Sequence, residues 1–381
     1  MLSRVEIFSE LKNLKKIREC IDKDARVFLN NEKDVYSLVV SVDELCSNII
    51  RHAYLGKDNE RIILITSVDE SFFFIAIEYF GKGFDQSSYQ FIPVDQRQGT
   101  TKKGRFGLKL LEHIIKKKKT PLCVGLDPDL TKIPILFHSS HDPIAAFTHT
   151  ILETVAPFCA AIKPNFAFYE AEGIDGLSAL KMALSPKPND LFIIGDVKRA
   201  DIANSSSLYA KAFFDYWQHD AVTVHPYMGM DSILPFLSYS EKLTFILCLT
   251  SNHGSTDIQE QPLANGKFVY EHIASLAMSW NKNKNVGLVV GATKPNTLAH
   301  IQNLTHASLP LLIPGIGSQG SSVASLQHSK FSFSKGLALF NQSRSIIYPE
   351  GNFQTITEFQ DAVQQKVIRA SNELRNVMGW S

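Results

Sequence analysis

The stretch Gly195–Ile202 reads GDVKRADI and places three charges capable of chemistry, Asp196, Lys198 and Asp201, close together. On a strand, side chains alternate between faces, so Asp196 and Lys198 point the same way. Asp201 then falls on the following loop. Lys163, in AAIKPN, ends an earlier apolar run and can reach the same mouth. Carboxylates and ammonium groups at this density are costly to hold unless they pair. An Asp–Lys–Asp–Lys array is therefore expected, with a salt-bridge ring that only caps the fold as the plain alternative.

Such an array suits a particular reaction. Removing CO2 from a carbon with no adjacent electron sink leaves a poorly stabilised carbanion. Cofactor enzymes spread that charge into pyridoxal phosphate or thiamine. Without a cofactor, a cation must sit where the charge develops, and a proton must then reach the carbon. One lysine can do both. A carboxylate beside the substrate's own carboxylate would oppose the ground state by repulsion.

Phosphate signals lie further on. PGIGSQG (Pro314–Gly320) and SRS (Ser343–Ser345) each follow an apolar run. Glycine turns let backbone N–H groups approach an anion, and the Arg344 fork can grip phosphate. Glycines at a strand end also serve simply as turn residues, and that reading stands beside the first.

These residues need a scaffold. Eight apolar runs recur: Leu122–Leu126, Ala160–Asn165, Leu191–Lys198, Ala221–Pro226, Thr244–Thr250, Val286–Thr293, Leu309–Gly317 and Lys335–Ser343. They are continuous rather than alternating, as strands buried on both faces are. Helix-compatible stretches separate them. The expected fold is α/β, a (β/α)8 TIM barrel over residues 116–381, with a doubly wound open sheet as fallback. Polar residues cluster where nearly all the runs end, and barrel active sites are built on that face. Residues 1–115 read instead as a smaller α+β domain: a helical opening, then Ser37–Tyr54 at helical spacing, then strands in RIILITSV and FFFIAIEY. The first barrel helix overlaps the seam, at about residues 105–119. Lys116 to Lys119 read as a solvated helix end or linker, with phosphate or nucleic-acid binding as the alternative.

Composition removes other classes. The chain has 381 residues, 44% hydrophobic and 20% charged, with a formal net charge of +1. Nothing global points to nucleic acid or to an acidic membrane surface. No apolar run is long enough to span a bilayer. Five scattered cysteines, Cys20, Cys46, Cys123, Cys159 and Cys248, form no CxxC pair. With no secretory signal at the start, reduced thiols in a cytoplasmic protein are expected. The dispersed histidines imply no metal.

The segments LCVGLDPD, IKPNFAFYE, DVKRADI, TSNHGS, VGAT, PGIGSQG and SRSIIY resemble, in order, those of the orotidine 5′-monophosphate decarboxylases, the longer bacterial subfamily in particular. The resemblance covers about residues 105–381. It implies cofactor-free conversion of orotidine 5′-monophosphate to uridine 5′-monophosphate and CO2, the last step of de novo pyrimidine synthesis. By that resemblance Lys198 is the proton donor to C6, and Asp196 faces the substrate carboxylate. Lys163 completes the charge network and contacts the ribose, and Asp127 binds a ribose hydroxyl. Ser251 and Asn252 meet the base. Gly317, Gln319 and Arg344 belong to the phosphate site. Asp201, Ile202 and Ser205 reach into the neighbouring subunit's site, since the family is dimeric. His225 stands where Asn is expected, and His253 where Pro is common.

VDELCSNIIRHAY resembles the helix of anti-sigma-factor serine kinases, of the histidine-kinase-like ATPase fold. The resemblance implies Asn48 on Mg2+, Glu44 on a water, and glycine turns at Gly81, Gly83, Gly104 and Gly107 for ATP. Tyr79 departs from it, because the family has its adenine-binding Asp there, and the strands that close that fold are missing. A truncated, degenerate module without nucleotide is therefore the plain alternative. Two other functions fit parts of the chain. One is a regulatory kinase-like protein with an inactive barrel, disfavoured by the intact array. The other is a related metal-dependent sugar-phosphate decarboxylase barrel, disfavoured by GLDP and IKPNFAFYE.

Overall fold

The computed structural model describes residues 3–28, 60–68, 73–79, 106–185, 190–316 and 323–380, with positions 35, 38–39, 42–43, 46–47 and 49–50 besides. The chain divides into two compact units, Met1–Lys102 and Lys103–Ser381.

In the first unit, β1 (Ser3–Phe8), β2 (Arg61–Val68) and β3 (Phe73–Tyr79) form an antiparallel sheet in that order. The helix Leu14–Phe28 packs Ile17 and Ile21 into one core with Ile7, Ile62 and Leu64. Val42, Cys46, Ile49 and Ile50 join it at the helical spacing expected of that stretch. The expected helical opening is present at Leu14–Phe28, but a strand, Ser3–Phe8, precedes it. Val5 and Ile7 turn inward and pair with Leu64 and Ile62 across β2. So short a segment carries too few repeats to set its own period, and the partner strand decides.

In the second unit, eight parallel strands close into a barrel. They are β4 (Leu122–Leu126), β5 (Ala161–Pro164), β6 (Phe192–Arg199), β7 (Ala221–Val224), β8 (Leu243–Leu249), β9 (Val286–Val290), β10 (Leu311–Ile313) and β11 (Ala338–Gln342). Each apolar run supplies one strand. Both faces are buried: Leu122, Val124 and Leu126 pack outward with the helices, while Cys123 packs into the barrel interior. In β6, Phe192 and Ile194 face inward and Ile193 outward.

The inward phase then delivers the site. Carried on in steps of two, it reaches Gly125 and then Asp127 after Cys123, and Lys163 after Ala161. It reaches Asp196 after Ile194 and Thr223 after Ala221. The lower interior is apolar and the upper layer polar.

The helix Phe106–Lys118 closes the lower end, its Leu111, Ile114 and Ile115 joining the inward-facing residues in one cluster. Gly107 lies against the start of β8, where an added Cβ would stand 2.9 Å from the Glu241 carbonyl oxygen. The lysine run ends this helix. Lys118 Nζ donates to the carbonyls of Ala156 and Cys159 at 2.6 and 3.0 Å, and Lys117 pairs with Asp190 at 2.7 Å. Burial lowers the Lys118 ammonium below the ordinary lysine range. The run is a helix terminus stitched to the barrel wall. None of the five cysteines is disulfide-bonded. No helix among the described residues is long and apolar enough to cross a membrane.

Candidate active site

At the barrel mouth β6 leaves regular pairing. Gly195 pairs with Val222 and Arg199 with Val224, so the register shifts between them. This bulge holds Lys198 at a φ of 45°, in the left-handed region that a residue with a Cβ rarely adopts. Such conformations cost about 1–3 kcal/mol and persist only where surrounding contacts fix them. Strand alternation alone would have aligned Asp196 and Lys198. The bulge does so by a different route, bringing the Lys198 ammonium back onto Asp196.

The array converges on Asp196. Lys163 Nζ donates to Asp196 Oδ2 at 2.5 Å, and Lys198 Nζ to Oδ1 at 2.6 Å. Thr223 Oγ1 donates to Oδ1 at 2.9 Å. The Lys163 side chain is 6% exposed and that of Asp196 11%, but that of Lys198 is 48% exposed. Lys163 is thus an interior counter-charge, while Lys198 opens to the mouth. Burial by itself would raise the Asp196 carboxyl. The charges of Lys163 and Lys198, with a hydrogen bond from each, overcome burial and hold it well below the usual carboxylate range. For Lys163, burial acts to lower the ammonium, and Asp196 and Asp127 outweigh it, so it stays above the usual lysine range. The centre is therefore ionised, with two ammonium groups around one carboxylate.

Asp127 lies beside it, at the end of β4. Its Oδ1 is buried without a hydrogen-bond partner, a costly state for a carboxylate that a ligand hydroxyl would relieve. Tyr348 fixes this loop. Its Oη accepts from the Asp129 amide at 2.6 Å and donates to the Asp127 carbonyl at 3.1 Å. A cavity of about 250 Å³ is lined by Asp127, Asp129, Lys132, Phe168, Arg344 and Tyr348. Arg344 begins a short helix directly after β11. Asp127 and Arg344, read separately from the sequence, thus share one cavity. A larger cavity of about 600 Å³ opens beneath the barrel, between Leu108–Lys116 and Met378–Trp380, and no residue of the array lines it.

After β8, Thr250 Oγ1 donates to Asn252 Oδ1 at 2.6 Å, and Gln259 Oε1 accepts from the Thr250 amide at 2.7 Å. Ser251 packs against Gly291, where an added Cβ would stand 2.8 Å from Ser251 Cβ. Asp201 does not join the array of its own chain. Its Oδ1 accepts from the Ile202 amide at 2.7 Å, while Ile202 and Ser205 are exposed. The expected array is thereby corrected within one chain to Lys163, Asp196 and Lys198. Gly317 and Gln319 lie outside the described residues, as do Glu44, Asn48, Gly81, Gly83 and Gly104. Gly107, the remaining member of that group, is committed to the barrel floor. Two residues escaped the sequence reading. Thr223 could have been found by carrying the inward phase of β7 one step on. Tyr348 closes the segment SRSIIY, but nothing in that segment indicates the loop it meets.

The fold and site define a (β/α)8-barrel enzyme with a buried ionic centre at its C-terminal mouth. Residues 120–355 match the Orotidine 5'-phosphate decarboxylase / HUMPS family, and residues 7–118 match the Histidine kinase-like ATPase domain. Among curated relatives, orotidine 5'-phosphate decarboxylase of Christiangramia forsetii is 43% identical over 244 residues, 63% of this chain and 88% of its own. That of Phocaeicola vulgatus is 44% identical over 253 residues, 65% of this chain and 92% of its own. Among solved structures, Leishmania donovani OMP decarboxylase superposes with a TM-score of 0.61 at 30% identity, covering 73% of this chain and all of that one. The chain belongs to the Orotidine 5'-phosphate decarboxylase / HUMPS family. The ATPase-domain match runs through the helix Phe106–Lys118, which the structure builds into the barrel floor. The decarboxylase-family match begins just after it, at residue 120.

Proposed function

We infer that this chain converts orotidine 5′-monophosphate to uridine 5′-monophosphate and CO2, the last step of de novo pyrimidine synthesis. The observation that carries the reading is the ionised Lys163–Asp196–Lys198 centre at the mouth of a barrel of this family. The bond from C6 to the carboxylate breaks, CO2 leaves, and the electron pair stays on C6. The Lys198 ammonium stands where that charge develops and supplies the proton. The Asp196 carboxylate stays charged and opposes the substrate carboxylate, while Lys163 keeps that charge tolerable in the interior. In this reading Asp127 takes a ribose hydroxyl, Arg344 with Gly317 and Gln319 the phosphate, and Ser251 with Asn252 the base.

Purified full-length protein is expected to deplete orotidine monophosphate absorbance, with the same rate in EDTA. A folded protein without turnover overturns the reading. Turnover abolished by EDTA would favour the metal-dependent sugar-phosphate relatives instead.

The reading includes a homodimer with a shared site. Asp201 stands apart from its own array, and apolar side chains are exposed at Ile202 beside it and at Leu208, Tyr209, Met230 and Leu234 on two nearby helices. The helices Ala203–Lys211 and Met230–Leu237 lie side by side, joined by the Ser206 hydroxyl donating to the Ser232 carbonyl at 2.5 Å. Apolar side chains exposed on two adjoining helices support the reading of this face as the subunit interface. Mixing Lys198→Ala with Asp201→Ala subunits is expected to restore about a quarter of full activity, because half of randomly paired dimers regain one intact site. Mixtures no more active than either variant alone would exclude sharing.

A further inference from the structure

We infer that Thr223 is a positioning residue for the decarboxylation, because its one hydroxyl holds both the Asp196 carboxylate and the bulged backbone that carries Lys198. The inference rests on the reading of this mouth as the decarboxylase site. Thr223 is 1% exposed. Its Oγ1 donates to Asp196 Oδ1 at 2.9 Å and accepts from the amides of Val197 and Lys198, each at 3.1 Å. A hydroxyl has one proton and two lone pairs, so these three bonds saturate it. They also fix its direction: with both lone pairs taken by amides, the proton must point at Asp196.

These bonds stand in for missing sheet pairing. Between Gly195 and Arg199 the ladder to β7 is interrupted, and a bulge leaves amides without regular partners. Thr223, reaching from β7, receives two of them. On the other side of the same peptide, the Val197 carbonyl accepts from Arg199 Nη1 at 3.1 Å, and Arg199 pairs with Glu170. The strained backbone of Lys198 is thus gripped from both sides. Arg199 holds only the peptide, whereas Thr223 ties it to Asp196. Thr223 itself carries no charge, so it orients the carboxylate without altering the charge balance that Lys163 and Lys198 set.

Loss of the hydroxyl frees Asp196 to turn and lets the Lys198 backbone relax from its φ of 45°. The ribose and phosphate contacts of the proposed site lie on other strands, so the defect should appear in the chemical step rather than in nucleotide affinity.

The test uses the full chain with Thr223→Val, Thr223→Ala and Thr223→Ser. Turnover of orotidine monophosphate is measured beside calorimetric binding of uridine monophosphate, which reports an intact site. Thr223→Val is expected to lower kcat by about 30- to 100-fold, the scale of a displacement near 1 Å at a reacting centre. Its nucleotide affinity should stay within about threefold, and Thr223→Ser should keep kcat within about fivefold, a KM-against-kcat split with hydroxyl rescue. If valine impairs binding through its shape, the alanine variant must show the same kcat loss with normal binding. Loss of binding in both variants overturns the inference, since the hydroxyl would then serve folding. So does a serine variant as slow as valine, or a valine variant as fast as the unsubstituted protein. No turnover in the unsubstituted protein overturns the functional reading itself, and the two failures are therefore distinct.

Discussion

Lys198→Ala is expected to abolish decarboxylation, lowering kcat by about 10⁴-fold or more while leaving the protein folded. The size follows from two losses at once: a positioned proton donor is worth about 10²–10⁴-fold, and a preorganised charge about 10²–10³-fold. The protein survives because the Lys198 side chain is half exposed, and Asp196 keeps Lys163 and Thr223 as partners. Alanine also tolerates the left-handed φ no worse than lysine does. The check is single-turnover decay of orotidine monophosphate, with uridine monophosphate binding as the folding control. A variant that binds the nucleotide and still turns over within about tenfold of the parent removes Lys198 from the proton-donor role.

Asp196→Ala is expected to damage both activity and stability. It leaves Lys163 buried with its nearest counter-charge gone. Breaking a buried ion pair by removing one partner costs about 3–5 kcal/mol, because the other charge stays uncompensated. Thr223 and the Lys198 ammonium lose their acceptor too. The three tryptophans, Trp217, Trp280 and Trp380, all lie in the barrel unit, so their fluorescence during urea unfolding reports that unit alone. The parent should also show a steeper acid limb than the variant. Asp196 titrates below its unfolded value of about 3.9, so its contribution is complete above that pH. That contribution is lost as pH falls through the lower folded value. In Asp196→Ala this share of the acid loss disappears, and the variant's stability falls less steeply from pH 5 downward. A variant within about 1 kcal/mol of the parent at pH 7 would mean that the barrel mouth hydrates Lys163 freely.

The difference between these two substitutions comes from burial, which spacing in DVKRAD does not reveal. In the sequence Asp196 and Lys198 are equivalent members of an alternating pair. In the fold one is the interior hub and the other its solvent-facing partner.

The sequence alone determined the eight strands, their parallel class and the end of the barrel that carries chemistry. Those are local properties: continuous apolar runs require burial on both faces, and polar residues placed where such runs stop mark the mouth. It also supplied the chemical types, since Lys163, Asp196 and Lys198 each lie at or near the end of a run. Tertiary structure alone decided the rest. The β6 bulge depends on a hydroxyl from β7, and Tyr348 meets Asp127 because closure of the barrel pairs the last strand, β11, with the first, β4. Ser3–Phe8 became a strand because β2 offered it a partner. The helix Phe106–Lys118 falls within the ATPase-domain match, and only its packing against Cys123, Ala161 and Phe245 assigns it to the barrel. Asp201 left the array of its own chain because the strand ends before it and the loop turns it away. Periodicity fixes which face a side chain takes, but the identity of what it meets there is set by residues distant in the chain.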